Sequence, residues 1–252
     1  MRKFSQISKI YIATVVVTGA AVLIKGAVQW RSARPLELLA LLAMTLIASG
    51  LKVKLPGING TMSVNLPFLL IVAVRLSSSE AVLIAALAGM VQSIPTAQRR
   101  IRLIHGLFNC AAITTAVAAT SLAFGFASHL GLVLPISIAV AGITFFFANT
   151  IPMALVMWLA EGEQPFHTWC GMSRLSVPYY SMSAGIAAIV CTATQFGTSA
   201  EALALLPLMY SVYTSYRIYF AIDAGSVSAA AKPMERIGAA APVSDSVASM
   251  KA

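Results

Sequence analysis

Long apolar runs alternate with short polar breaks along this chain, and the breaks carry most of the charge. Run one covers about 10–29 and run two about 35–50, the second opening after Arg34-Pro35. Runs three and four, about 66–77 and 80–95, are short against the roughly 20 residues of a membrane crossing. They are expected to tilt or to pack inside a bundle. Run five covers about 104–126. Run six, about 132–160, is too long for one straight span; with Pro135 near its start and Pro152 inside it, one tilted helix and two half-helices both fit. Runs seven and eight, about 177–196 and 200–220, complete the series. The pattern predicts an all-α polytopic membrane protein of about eight transmembrane helices. A single helical membrane domain would fill 1–220, followed by an Ala/Ser-rich tail, 221–252, expected to be disordered and cytoplasmic.

The stretch 51–66 departs from that rhythm. Leu51-Lys52-Val53-Lys54-Leu55 and Thr61-Met62-Ser63-Val64-Asn65-Leu66 both alternate apolar with polar, and Pro56-Gly57-Ile58-Asn59-Gly60 between them is dense in turn formers. Alternation around a short Gly-containing loop reads as a β-hairpin-like insertion; a plain interfacial loop is the other reading. Irregular backbone at membrane depth survives only where protein buries it or it lines a cavity.

Composition agrees with the pattern. Of 252 residues, 59% are hydrophobic and 10% charged, against about 45–50% and 25% in a soluble domain. An ordinary soluble domain, a disordered chain and a nucleic-acid-binding module are excluded on this ground. The net charge of +9 reads instead as the excess of Lys and Arg in cytoplasmic loops. With both termini inside, Arg2, Lys3, Lys9, Lys52, Lys54, Arg99, Arg100, Arg102, Arg174, Arg217, Lys232 and Arg236 are cytoplasmic. Only Arg31 and Arg34, with Lys25 and Arg75 nearby, lie at the other face. The N-terminus resembles a signal peptide, but apolar character resumes after Lys25 and runs to Trp30, which favours an uncleaved first helix. Cys110, Cys170 and Cys191 form no metal spacing and are expected to be buried as small apolar residues.

The usual catalytic signatures are missing: no HExxH, no GxSxG elbow, no Walker A loop. Ser49-Gly50-Leu51-Lys52 matches SxxK without its companion motifs and reads as chance. Neither an enzyme nor a cofactor is expected. Glu161, Glu163 and His167 fit no ligand spacing and read as a solvated loop, so no metal is expected. Uncharged polar groups inside the runs are the candidates for recognition, because burying them in hydrocarbon is costly. These are Asn65, Gln92, Asn109, Asn149, Thr150 and, as a wall or lid, Tyr210. Tyr210, Tyr213, Tyr216 and Tyr219 also suit an aromatic belt at the cytoplasmic interface. Asn65 in addition sits where a helix cap is expected, and Arg75 with Glu80 suggests an interfacial ion pair. Ala85 with Gly89, and Ala184 with Ala188, have the spacing of close helix packing.

The block from Leu51 to Asn65 resembles a segment of bacterial integral-membrane sensor regions, those preceding HD-GYP and GGDEF cyclic-di-GMP signalling domains. Phe147-Ala148-Asn149-Thr150 through Ala160-Glu161-Gly162, and Leu206-Pro207-Leu208-Met209-Tyr210 through Tyr219, look similar too, so the likeness spans about 35–220. In that family the last helix feeds a cytoplasmic catalytic domain. Here only an Ala/Ser-rich stretch follows, which implies a sensor without its output domain, or one acting through a partner. More distantly, a helix, a Leu-Pro-containing loop and two short helices resemble the start of substrate-binding S-components of energy-coupling-factor (ECF) vitamin transporters. That family's loop lies outside, whereas the charge count places this one inside.

The expectation is a non-catalytic sensor in a bacterial inner membrane, binding a small hydrophobic or amphipathic molecule between helices and signalling to a cytoplasmic partner. A vitamin-type uptake subunit working with ECF-type transport subunits is the alternative. The partners expected are the lipid bilayer, that ligand and one of those protein classes, and not nucleic acid.

Overall fold

A computed structural model describes residues 6–54, 61–94, 103–162, 164–193 and position 214. Seven helices and two short strands follow in order among the described residues. They are α1 (Gln6–Val28), α2 (Pro35–Gly50), β1 (Lys52–Lys54), β2 (Thr61–Ser63), α3 (Leu66–Arg75), α4 (Ser78–Ser93), α5 (Leu103–His129), α6 (Leu134–Glu161) and α7 (Pro165–Ala193).

Three of these helices, α1, α5 and α6, are long and apolar enough to cross a membrane. A fourth span arises if α7, bent by 50° between Pro165–Arg174 and Ser176–Ala193, counts as one. The expectation of eight spans is therefore corrected to three or four among the described residues, a number compatible with a membrane protein. Runs two, three and four become helices of 16, 10 and 16 residues. At 1.5 Å per residue these rise only about 15–24 Å, less than a hydrocarbon core of about 30 Å. Run eight and the tail lie outside the described residues. Run six is a single helix that carries Pro152 internally. Run seven starts earlier than the apolar pattern suggests: 165–176, read as largely loop, is helical and includes His167.

Local sequence explains the boundaries. Proline opens α2, α3, α6 and α7, where its missing N–H costs nothing and its fixed φ suits the first turn. Ser77 and Glu80 form a capping box on α4. α6 ends at Gly162, whose φ of 78° is the left-handed turn that glycine adopts without a Cβ clash. In the 51–66 stretch, β1 and β2 pair antiparallel over three residues each, Lys52 opposite Ser63 and Lys54 opposite Thr61. The connecting 55–60, and with it the proposed hairpin turn, lies outside the described residues.

α3 is the centre of the bundle. Every residue from Leu66 to Ala73 is buried, and Phe68, Leu70 and Val72 have no exposed surface. A helix apolar on all sides is stable only when surrounded, and α2, α4, α5, α6 and α7 all pack on it. Close approaches at small residues hold the outer helices together. A Cβ at Gly89 would lie 2.8 Å from the Cys110 Cα, and one at Gly142 would lie 3.1 Å from the Ala184 Cβ. Gly19 meets Ala111 more tightly still. Ala85 and Gly89 thus do the packing that their spacing suggests. The cysteines divide: Cys191 is buried and Cys110 half-buried, but Cys170 is exposed, contrary to expectation.

Gly89→Ala is expected to destabilise the protein by about 1–3 kcal/mol, since backbone rather than a flexible side chain blocks the new methyl. Gly50→Ala, with nothing within 4 Å, should stay within about 0.5 kcal/mol of wild type. Equal unfolding midpoints for the two variants in mild detergent would refute the close α4–α5 contact.

Candidate functional site

The bundle has two ends, defined by contacts between helix termini. At one, Arg75 at the end of α3 pairs with Glu37 at the start of α2, and Arg34 pairs with Glu37 at 3.2 Å. Glu80 begins α4 beside them. At the other end, the Ser8 hydroxyl donates to the Leu159 carbonyl (2.5 Å). There too the Lys52 ammonium donates to the Ile94 carbonyl, and burial pushes that ammonium below the ordinary lysine value. The expected Arg75–Glu80 pair is corrected: Arg75 turns to Glu37, because Glu80 is held by its own cap. Burial raises the Glu80 carboxyl, but the nearby Ser32 hydroxyl, the hydrogen bonds from the Ser77 hydroxyl and N–H, and the Arg34 charge outweigh it. The carboxyl therefore lies below its usual value.

Between the ends lies a set of uncharged polar groups. α3 rises only about 15 Å from Arg75, so its first residue lies inside the bundle, away from the Arg75 end. There the Tyr179 hydroxyl of α7 accepts from the Leu66 N–H (3.1 Å) and donates to the Ser63 carbonyl (3.1 Å). The Asn65 amide donates to the Ser49 hydroxyl (2.8 Å). Ser49 donates to the Thr45 carbonyl (2.7 Å), and the Ser63 hydroxyl to the Ser49 carbonyl (3.1 Å). All six residues are buried. Asn65 occupies the N-cap position of α3, but its side chain makes no cap bond; the tyrosine takes over that task.

One residue further along α7, the ring of Tyr180 stands edge-on to Tyr179, centroids 6.1 Å apart. Its hydroxyl accepts from the Asn149 amide of α6 (2.7 Å). Tyr180 also meets Phe146 edge-on at 5.1 Å. Beyond it, Trp169 lies nearly parallel to Phe147 at 6.0 Å, and its Nε1–H donates to the Thr150 hydroxyl (3.1 Å). Thr150 in turn donates to the Phe146 carbonyl (2.7 Å). Phe147 and Phe166 are exposed, so this aromatic surface continues to the outside of the bundle.

Three of the six sequence candidates therefore meet: Asn65, Asn149 and Thr150 belong to one chain of contacts running through Tyr179, Tyr180 and Trp169. Asn109 does not join them. Its amide donates to the Ser93 hydroxyl (3.2 Å) and ties α5 to α4. Gln92 lies beside that pair in sequence, and its buried Oε1 has no hydrogen-bond partner among the described residues. Tyr210 lies outside the described residues. Tyr179, Tyr180 and Trp169 were not among the sequence candidates. Pro178 beside the tyrosine pair, and a tryptophan next to the nominal end of a loop, were the signals available. No group of three or more metal-ligating side chains occurs among the described residues.

Compared with known protein families, characterised proteins and solved structures, the chain matches none.

Tyr179→Phe removes two hydrogen bonds and strands a buried N–H and a buried carbonyl, an expected cost of about 1–3 kcal/mol. Tyr180→Phe breaks one bond to a half-buried amide, and about 1 kcal/mol is expected. Equilibrium unfolding in detergent ranks the two, and a Tyr180→Phe cost above that of Tyr179→Phe would contradict the central role of Tyr179. Glu80 gives a pH signature. Because its carboxyl is lowered in the folded state, its stabilisation is present above the reference value of 4.5 and is lost as pH falls through the folded value. Glu80→Gln should flatten that acid limb; an unchanged limb would show that other groups produce it.

Proposed function

We propose that the protein is a non-catalytic binding module of a bacterial inner membrane, taking a small or lipidic molecule between α6 and α7. The observation that carries this reading is the character of the uncharged polar groups between the ends of the bundle. Amide, hydroxyl and aromatic side chains converge there from α2, β2, α3, α6 and α7, already ordered by hydrogen bonds. Pockets for small molecules are largely apolar and aromatic, with a few fixed polar groups that set orientation. The face formed by Phe146, Phe147, Trp169 and Tyr180, with Asn149 and Thr150, has that make-up.

A sensing role follows from the position of α7. This helix carries Trp169 and Tyr180 at the aromatic face and Tyr179 at the start of α3. Occupation of the face would bias α7, and the sequence beyond α7 is the route toward a cytoplasmic signalling partner. Termini on the cytoplasmic side are supported by the basic clusters Arg2-Lys3 and Arg99-Arg100-Ile101-Arg102.

The test is native mass spectrometry of delipidated protein exposed to a polar lipid extract of bacterial inner membrane. The wild type should retain a bound lipid species, and Asn149→Leu should lower its occupancy about tenfold, the effect of about 1.4 kcal/mol. Thr150→Val should lower it by less. Retention of the same species at wild-type occupancy in both variants would remove the α6–α7 face from consideration. Co-purified proteins decide the role. A cyclic-di-GMP enzyme or similar signalling protein supports sensing; an ATPase pair with a coupling membrane subunit would replace it with uptake.

A further inference from the structure

The two halves of α7 are held in different ways. The inner half, Ser176–Ala193, carries Tyr179, Ser183, Ile186, Ala187 and Cys191, all buried, and is tied to β2 and α3 through the Tyr179 hydroxyl. The outer half, Pro165–Arg174, lies over α6. Its contacts there include the Trp169–Thr150 hydrogen bond and the rings of Phe146 and Phe147, and Thr168 beside Trp169 is buried. Phe166 on the same half is 74% exposed.

A pivot stands at each end of this outer half. Before it, Gly162 takes a left-handed turn at the end of α6, its N–H donating to the Trp158 carbonyl (2.8 Å). After it, the helix bends by 50° between Arg174 and Ser176. Pro178 accounts for that bend: it has no N–H to give to the carbonyl four residues earlier, that of Arg174, and its ring crowds the same carbonyl.

The chemistry of the segment is that of an interface. The sequence from Pro165 to Arg174 contains Phe166, His167, Trp169 and Arg174 and no carboxylate. Aromatic rings beside a basic group settle at the headgroup level of a bilayer. A basic side chain there favours anionic lipid over zwitterionic lipid.

We propose that Pro165–Arg174 is a hinged lid at the membrane interface, which swings about Gly162 and the bend before Pro178. It admits an amphipathic lipid with an anionic headgroup to the α6 aromatic face. The acyl portion lies against Phe146 and Phe147, and the headgroup is held near Arg174. This proposal rests on the binding reading above and specifies its ligand class.

Two measurements on the full-length protein test it. The first is hydrogen–deuterium exchange in nanodiscs of phosphatidylcholine and phosphatidylglycerol. Amides of 165–174 should exchange at least about tenfold faster than those of 178–191, as a locally opening element does beside a packed one. Trp169→Phe should speed the outer half further and leave the inner half unchanged. Equal protection of the two halves overturns the lid. The second uses Trp30→Phe/Trp158→Phe, two exposed positions, which leaves Trp169 as the sole tryptophan of the three. In phosphatidylcholine vesicles, brominated phosphatidylglycerol should quench Trp169 roughly fivefold more effectively than brominated phosphatidylcholine at the same mole fraction. Adding Arg174→Gln should abolish the difference. Equal quenching by the two lipids overturns the headgroup assignment. The lid and the binding reading fail separately. Slow outer-half exchange with Asn149-dependent lipid retention removes only the lid, whereas fast exchange without such retention removes the bound ligand.

Discussion

A backbone N–H buried in apolar surroundings has no water to bond to, and the Leu66 N–H meets the Tyr179 hydroxyl instead. Because that hydroxyl also donates to the Ser63 carbonyl, one side chain satisfies both sides of the β2–α3 junction. A strand pair in apolar surroundings needs its backbone groups paired, and β1 and β2 pair with each other. Asn65, Ser49 and Ser63 supply the remaining bonds. Thr45 continues the pattern by returning its own hydroxyl to the Leu41 carbonyl (2.6 Å). Close van der Waals packing holds the neighbours of α3 around it, but the polar joint decides where along the bundle α3 begins.

The same joint relates the core to the surface face. Tyr179 points its hydroxyl at α3, and its neighbour Tyr180 takes Asn149 of α6. Neighbouring residues on a helix are separated by about 100°, so two adjacent tyrosines address two different partners. The buried network and the aromatic face are therefore coupled through two successive residues of one helix. Movement of α7 by a fraction of a turn would disturb both sets of hydrogen bonds at once, which makes this helix the element through which occupancy and core geometry are linked.

The long apolar helices were legible in the sequence because hydropathy reports them directly, and the prolines at helix starts marked several boundaries well. The short elements were harder. Runs two to four have the composition of membrane helices, and only their length separates a span from a segment buried by protein. α3 is the clearest case, since a helix apolar on every face carries no periodicity to show which neighbours surround it. The outer half of α7 was missed for the opposite reason: Pro165, His167, Thr168 and Gly171 dilute its hydropathy although the backbone is helical. Among the candidate residues, Asn149 and Thr150 were found because amides and hydroxyls are conspicuous in an apolar run. Their partner Trp169 was not, since a ring gives no such contrast. Arg75 was assigned to the nearer carboxylate in sequence, Glu80, whereas the packing of α2 against α3 offered Glu37.

The burial of α3 also bears on how the chain is made. Helices normally leave the translocon sideways into lipid as they emerge, each long enough to be stable there alone. Ten residues are too few for that, and the strand pair before α3 leaves open backbone that lipid cannot satisfy. Of the helices that enclose α3, all but α2 are synthesised after it. The β1–β2–α3 segment must therefore be kept from lipid until its later neighbours arrive. Chains stalled before α5 should leave it open to protease or labelling reagents, and chains stalled after α7 should protect it. In this protein, biogenesis is bound to the order in which a buried helix acquires its walls.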